Sequence, residues 1–385
     1  MNAVPLEAVL ASLESGARPA GGASVDSGEI PSLGGEHLNA EGGFNFTSLK
    51  RIPRPFFESI RGGRIASRDI LVVKDGATTG KTSFVGEDFP FHEAAVNEHV
   101  FCLRVDQSKA CPEYVYHFLR SPHGQRSIAL DFRGATVGGI SRDFARKVRL
   151  PLPPLPEQRR IAAILDKADA LRAKRRAALA KLDTLTQSIF LDMFGDPFEH
   201  RGDSVPLGEM ADVLMGQSPP GASYNVAGDG TPLLNGPTEF GPRYPLEKQW
   251  TTEPTRLCAK GDILFCVRGA TAGRLNRADK VYCLGRGLAA IRPRSGAPVS
   301  AEFLFAVLDR YYDYFQVKGV GSTFINISRQ ELESLPIPRS HRAQADALTR
   351  RVGAVENAKA AHVQSLCALE SLFASLQHRA FRGEL

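Results

Sequence analysis

Two stretches of the chain carry apolar residues at three- and four-residue spacing, while glycine and proline break the remainder into short apolar runs. The first periodic stretch runs from Glu157 to about Met193 with neither Gly nor Pro, and Ala, Leu, Lys and Arg dominate it. Its apolar positions are Ile161, Ile164, Leu165, Ala168 and Leu171, then Leu179, Leu182, Leu185, Ile189 and Met193. That spacing predicts one long helix with the seam of a coiled coil or bundle. Pro151, Pro153, Pro154 and Pro156 stop anything helical before it, and Gly195 and Pro197 stop it afterwards. At 1.5 Å per residue the helix would span roughly 55 Å. A second such stretch, Ala343 to about Arg379, contains one interior Gly353 and places Leu366, Leu369, Leu372 and Leu376 on its seam.

Elsewhere the apolar runs are short. They predict strands at Ile70–Val73, Val100–Val105, Ile263–Val267 and Leu288–Ile291, and short helices at Glu113–Leu119 and Glu302–Leu308. The same landmarks come round twice. Val4-Pro5-Leu6 returns as Val205-Pro206-Leu207, and Pro31-Ser32-Leu33-Gly34-Gly35 as Pro232-Leu233-Leu234-Asn235-Gly236. Asp69-Ile70-Leu71 and Gly76 to Lys81 return as Asp262-Ile263-Leu264 and Gly269 to Arg274. Gly134-Ala135-Thr136 with Ile140-Ser141-Arg142 matches Gly321-Ser322-Thr323 with Ile327-Ser328-Arg329, and Leu150-Pro151-Leu152-Pro153 matches Leu335-Pro336-Ile337-Pro338. A period of about 190 residues is far too long for a solenoid. The chain reads as two whole modules in tandem, each a turn-rich part followed by a long helix.

A helix with one apolar seam needs a partner. Each module supplies one, so the economical arrangement pairs them antiparallel about a pseudo-twofold. The expected fold is therefore α+β: two tandem mixed α/β domains separated by two long antiparallel helices that form a coiled coil. The boundaries implied are 1–153 for the first domain and 154–195 for its helix, then 196–338 and 339–385 for the second pair.

Composition adds less. A hydrophobic fraction of 43% in 385 residues supports real cores. The net charge of +6 permits a nucleic-acid or acidic partner without demanding one. No apolar run approaches the ~18 residues of a membrane span, and the amino terminus lacks the pattern of a secretory signal. Cysteines 102, 111, 258, 266, 283 and 367 are scattered without a Cys-x-x-Cys pair, so buried inert thiols and a cytoplasmic location are expected.

The chemistry that catalysis would need is missing. Gly76-Ala77-Thr78-Thr79-Gly80-Lys81-Thr82 has one residue too few between its glycines for a phosphate-binding loop, and its copy loses both the lysine and the hydroxyl. Ser218-Pro219-Pro220-Gly221 lacks the aromatic that an amino-methyltransferase loop carries after its prolines. The nine histidines show no metal-ligand spacing; His92 and His99, flanking Glu93 and Glu98, have no histidine counterpart in the second copy and read as surface residues. No catalytic residue, metal or cofactor is expected.

Leu150-Pro151-Leu152-Pro153-Pro154-Leu155-Pro156-Glu157-Gln158, leading into the Ile161 helix, resembles the central conserved region of type I restriction-modification specificity subunits. Phe381-Arg382-Gly383-Glu384-Leu385 resembles the usual close of that family's distal helix. The second helix entry, Pro338-Arg339-Ser340-His341-Arg342-Ala343-Gln344, lacks the Pro-Glu-Gln triplet. The resemblance covers nearly the whole chain and implies a double-stranded-DNA-reading subunit with no activity of its own. It further implies two methyltransferase (modification) subunits and two restriction/translocase subunits as partners, and no membrane. Each target-recognition domain would read half of an asymmetric, interrupted target, with the spacer helices fixing the gap, as dimer geometry fixes half-site spacing elsewhere. Two competing readings remain at this stage. A fused or stand-alone DNA-modifying enzyme would need a cofactor loop or metal carboxylates. A coiled-coil protein scaffold would explain the helices but not two duplicated loop-rich domains.

Loops shared by both copies should hold phosphates or the fold, and loops that differ should read bases. The shared candidates are Thr78, Thr79 and Lys81 with Thr271 and Arg274, and Arg133, Thr136 and Arg142 with Lys318, Thr323 and Arg329. The unshared candidates are Asn39, Asn45 and Lys50 in the first copy, and Asn235, Arg243 and Lys248 in the second. A bidentate Arg–guanine or Asn–adenine pair contributes ~1–3 kcal/mol of discrimination. Tyr244 and Trp250 could stack or wedge, against a core role for Trp250. The run Arg172-Ala173-Lys174-Arg175-Arg176 reads either as a solvated face or as a face toward spacer DNA or an acidic partner. In the second case Ile161, Ile164 and Leu165 would be left for docking that partner.

Overall fold

The computed structural model describes residues 3–25, 28–134, 138–196, 204–318 and 325–385. The chain divides into two compact units, Met1–Arg176 with Gln364–Leu385, and Ala177–Val363.

In the first unit the fully buried run Ile70–Val73 and the strand Val100–Val105, buried but for Arg104, pair at the centre of a four-stranded antiparallel sheet. Leu10–Ser15 flanks Val100–Val105, and Thr82–Phe84 flanks Ile70–Val73. A smaller sheet places Ile30–Leu33 between Arg51–Ile52 and Ala95–Val96, the last pairing being parallel. Finally Ala3–Pro5 pairs antiparallel with Arg149–Pro151, so the start of the unit is tied to the residues just ahead of the long helix.

The second unit repeats this plan, with one further short strand, Tyr224–Asn225, at the edge of its smaller sheet. Its four-stranded sheet runs Ala211–Met215, Leu288–Pro293, Ile263–Cys266, Leu275–Arg277. Its smaller sheet contains Tyr224–Asn225, Trp250–Thr251, Thr231–Leu234 and Cys283–Leu284, again with one parallel pair. Ser204–Pro206 closes on Pro336–Pro338. The two Val-Pro-Leu segments thus pair with the strands before the helices, and the register corrects the repeat there by two residues, since Leu150 corresponds to Ile337 and not to Leu335. The Leu6 amide donates to the Val148 carbonyl at 2.9 Å, and the Leu207 amide donates to Leu335 at 2.8 Å.

The repeated Asp-Ile-Leu has a physical cause as well. Asp69 is buried, accepts the Ala66 amide at 2.8 Å, and meets the Arg104 guanidinium at 2.7 Å. Asp262 accepts the Ala259 amide at 2.8 Å and meets Arg292 at 2.6 Å. Each carboxylate holds the turn before a central strand and is neutralised from the neighbouring strand. A buried carboxylate without that partner costs several kcal/mol.

Helix Pro112–Arg120 lies where expected. The helix expected at Glu302–Leu308 instead runs Ala301–Lys318. Asp309-Arg310 interrupts the apolar run but not the periodicity, because Tyr311 and Phe315 carry the buried face onward. The long helices span Leu155–Phe194 and Arg342–Ala380. Gly353 does not break the second, and Gly195, at φ 73°, ends the first by taking a left-handed turn.

The Pro-Glu-Gln entry is explained by its glutamine. Gln158 is buried, accepts the Cys111 amide at 2.9 Å, and donates to the Pro153 carbonyl at 2.8 Å. In the second entry the buried Ala345 takes the corresponding place, and Gln344 caps the His341 amide instead.

Within each unit the two helix segments run antiparallel. In the first, Arg160 reaches the Leu385 carbonyl, Arg172 lies over the Phe373 ring at 4.3 Å, and Arg176 pairs with Glu370. In the second, Asp183 pairs with Lys359 and Asp192 with Arg351. Two expectations are corrected here. Ile161 and Leu165 are buried in the core of the first unit, each stabilising it by about 1.5–3 kcal/mol, and are not open to a partner; Ile164 is half-buried. Leu179, Leu182, Ile189, Leu366, Leu369 and Leu376 are also half-buried. On the two long helices the exposed large apolar side chains are, among the described residues, Leu171 (45%) and Leu372 (51%) in the first unit, and Leu185 (39%) and Val363 (50%) in the second. The basic run is also not a bare face, because Arg172 bonds Asp169 at 2.6 Å beneath Phe373, and Arg176 is engaged by Glu370.

Five cysteines are buried, but Cys367 is exposed, against the expectation of six buried thiols. Burial, then the Asp69 carboxylate, pushes the Cys102 thiol well up. A bulky maleimide should therefore label one thiol promptly in native buffer, with the other five appearing only on unfolding. Prompt labelling of two or more would contradict the fold.

Candidate nucleic-acid interface

In the first unit Leu10–Ser15, Ile30–Leu33, Ile70–Val73 and Ala95–Val96 all deliver their chains to one rim. Backbone bonds stitch the loops there together. The Asn97 amide donates to Leu33 at 2.9 Å, Lys74 to His99 at 2.8 Å, Gly76 to Gly138 at 3.1 Å, and Ile140 to Lys74 at 2.7 Å. The second unit has the same stitching. Gly285 donates to Leu234 at 2.8 Å, Val267 to Gly287 at 2.9 Å, Gly269 to Ile325 at 2.9 Å, and Ile327 to Val267 at 2.8 Å.

The described members of both shared sets therefore flank this rim. The Gly76–Gly80 and Gly269–Gly273 turns have all four glycines at φ between 82° and 93°, the left-handed region that side chains resist. Each turn joins two antiparallel strands, not a strand and a helix, which is why it lacks the form of a phosphate-binding loop. Thr78 is exposed, Thr79 donates to the Gly76 carbonyl at 2.7 Å, and Lys81 donates to the Leu38 carbonyl at 2.9 Å. Thr271 is half-buried and Arg274 exposed. The repeated Ile-Ser-Arg places Ile140 and Ile327 in the cores, with Arg142 and Arg329 exposed. Arg329 pairs with Glu333 at 2.7 Å, and Arg133 pairs with Asp131 at 3.2 Å. Thr136, Thr323 and the Lys318 side chain lie outside the described residues.

A family model for the type I restriction modification DNA specificity domain matches residues 8–181. A putative type I restriction enzyme specificity subunit of Methanocaldococcus jannaschii is 30% identical over 278 residues, covering 67% of this chain and 64% of that protein. Another from Haemophilus influenzae is 31% identical over 103 residues, 27% of this chain and 24% of that one. The chain carries, over residues 8–181, a type I restriction-modification DNA specificity domain. Its alignment spans less than two thirds of the Methanocaldococcus protein's length. The fold is shared with a chain from a structural study of type I R-M complex assembly and conformational transition, at TM-score 0.62 and 24% identity over 100% of this chain and 98% of that one. It is shared too with the S subunit from M. genitalium, at TM-score 0.61 and 14% identity over 99% and 96%.

The family is one of specificity domains, in agreement with the expectation of a non-catalytic subunit. Among the described residues, no group of three or more His, Cys, Asp or Glu is placed to hold a metal ion.

The unshared candidates of this specificity chain are largely committed to their own loops. Asn39 accepts the Gly43 amide at 2.8 Å, Asn45 accepts the Thr47 amide at 3.0 Å, and Lys50 pairs with Glu36 at 3.0 Å. Asn235 donates to Gln249 at 2.8 Å and Lys248 to the Thr238 carbonyl at 2.7 Å. Arg243 lies 5.2 Å over the exposed Tyr244 ring, and Trp250 is a half-buried strand residue opposite Asn225 and Pro232.

Sequence reasoning missed the loop between the last two strands of each rim. Asn97-Glu98-His99 and Gly285-Arg286-Gly287 occupy the same backbone position with unlike side chains, which is the criterion for base readers stated above. The signal was legible in the flanking Ala95-Val96 and Cys283-Leu284 strands, had the repeat been traced through them.

Charge is distributed unequally. In the first unit the rim's basic side chains face carboxylates: Arg18 pairs with Glu98 at 3.5 Å and Lys50 with Glu36, and the His99 ring lies 2.5 Å from Asp75. In the second, Arg268, Arg274 and Arg286 are exposed and make no ion pair among the described residues. Asp131 anchors the first rim from below. It is buried and accepts Lys147 at 2.5 Å, with the Ser141 amide at 2.7 Å and hydroxyl at 2.8 Å. Burial raises its carboxyl, but the Lys147 and Ser141 hydrogen bonds outweigh that and hold it at about 2. A depressed carboxyl stabilises above its unfolded value, and that stabilisation is lost as pH falls toward 2. Asp131→Asn should therefore destabilise by about 2 kcal/mol at pH 7, and the deficit should shrink to about half by pH 3. Denaturant titrations at both pH values check this; an equal deficit at pH 7 and pH 3 would contradict it.

Proposed function

We propose that this chain is the DNA-reading subunit of a type I restriction-modification complex, with no chemistry of its own. Each unit reads one half of a bipartite, interrupted double-stranded target through its rim. The observation that carries this reading is two rims with one backbone plan and unlike side chains. A common frame is what two readers of different half-sites require, since phosphate and fold contacts can be shared while base contacts cannot. Arg268 and Arg274 of the second rim, which make no ion pair among the described residues, supply a salt-sensitive grip by releasing counterions.

The four-part division at 1–153, 154–195, 196–338 and 339–385 belongs to this reading, with the two helical segments setting the gap. Two modification subunits and, in the full complex, two restriction subunits would assemble on the chain. The open Leu171 and Leu372 of the first unit, and Leu185 and Val363 of the second, suit such docking better than the buried Ile161 and Leu165. The complex would work on DNA in the cytoplasm; no helix among the described residues is long and apolar enough to cross a membrane.

Replacing residues 205–335 by the matching segment of a relative with another target should change one half of the methylated site and leave the other half and the gap intact. Sequencing the methylated sites of cells carrying the hybrid with its modification subunit reads this out. A change in both halves would defeat the modular reading.

A further inference from the structure

The two unlike loops on the rims are built to a common standard. Gly16 and Gly216 press against the chain beside them: a Cβ at Gly16 would lie 1.8 Å from the Val96 carbonyl oxygen, and one at Gly216 would lie 2.2 Å from that of Gly285. No side chain fits at either place, so both modules hold this loop at one fixed height. Opposite it stands the loop beginning at Gly34 in the first unit and at Asn235 in the second. A Cβ on Gly34 would meet the Asn97 amide nitrogen at 2.6 Å, and one on Gly285 would meet the Asn235 amide oxygen at 2.6 Å. The space between the facing loops thus receives one asparagine in each module, supplied from opposite sides. Such an exchange preserves the frame and frees the next residue to vary.

That next residue differs in charge. Arg286 is exposed between two glycines, its backbone amide held by the Ser218 hydroxyl at 3.3 Å, and its guanidinium makes no ion pair among the described residues. A Cβ at Gly287 would lie 2.4 Å from the Asn235 carbonyl oxygen, so Arg286 is the one long side chain this loop admits. Its counterpart Glu98 borders a polar recess of about 220 Å³ lined also by Arg18, Lys50, Asn97 and His99. One carboxylate oxygen of Glu98 faces Arg18 and His99, whereas Oε2 is shielded from water without a hydrogen-bond partner.

We infer that Arg286 is a base-reading residue of the second module, selecting a guanine, at the loop position that Glu98, held by Arg18 and His99, fills in the first. A guanidinium matches the two acceptors of guanine in the major groove. This rests on the DNA-reading function proposed above.

The test uses the full chain with its modification subunit and sequencing of methylated sites, followed by binding to duplexes differing at single positions. Arg286→Ala should relax one guanine in one half-site, lowering discrimination there by about 5- to 150-fold. Glu98→Gln, at the matching position of the first module, should leave the guanine read by Arg286 unchanged. Weakening by Arg286→Ala that is equal for all sequences, with a shallower salt slope, would make that residue a phosphate contact and overturn the assignment. A wild-type motif unmoved by Arg286→Ala overturns the inference alone. A wild-type protein without any sequence preference overturns the proposed function and this inference together.

Discussion

Everything in each unit depends on a short antiparallel closure: Val4 opposite Leu150, and Val205 opposite Ile337. Three residues on either side bind the first strand of the unit to the last strand before a long helix. The helix direction is therefore set by the sheet rather than by a flexible linker. Proline supports this twice over. It ends the strand pairing and forbids the helix from starting early. Gln158 then satisfies the backbone at the entry, joining the helix to the Cys111 segment.

On the opposite side of this economy stands the rim. Glycines at Gly16, Gly76 and Gly80, and at Gly216, Gly269 and Gly273, hold loops where a Cβ or a right-handed backbone would not fit. Rigid loops lower the entropy lost on binding. Such loops also confine variation to the few side chains that point away from the frame. In the first unit Arg18 and Lys50 face carboxylates of their own rim; in the second, Arg268, Arg274 and Arg286 make no ion pair among the described residues.

Much of this was legible in the residues. Long helices announce themselves through periodicity and missing glycine, and both boundaries fell within two residues of Leu155–Phe194 and Arg342–Ala380. The repeat was visible wherever it was locked by the backbone, as at Asp69 and Asp262 or Ile140 and Ile327. What was not legible depended on long-range contact. The helix through Tyr311 and Phe315 ran past a charged pair because its buried face continued. Asn39 and Asn45 looked like free amides, yet each bonds a loop amide nearby. Ile161 and Leu165 looked like an open seam, but the recognition fold of the same unit covers them. The loop 285–287 that carries Arg286 was hidden by its dissimilarity to 97–99, since a search for likeness passes over the positions that differ.

The central claim is that one chain carries two readers of unlike half-sites. The sequence motif methylated in a host expressing the protein with its modification subunit tests it most directly. An asymmetric motif of two specific blocks separated by a fixed run of unspecified bases is the predicted result. A single uninterrupted block, or two blocks that are inverted copies of each other, would contradict the account.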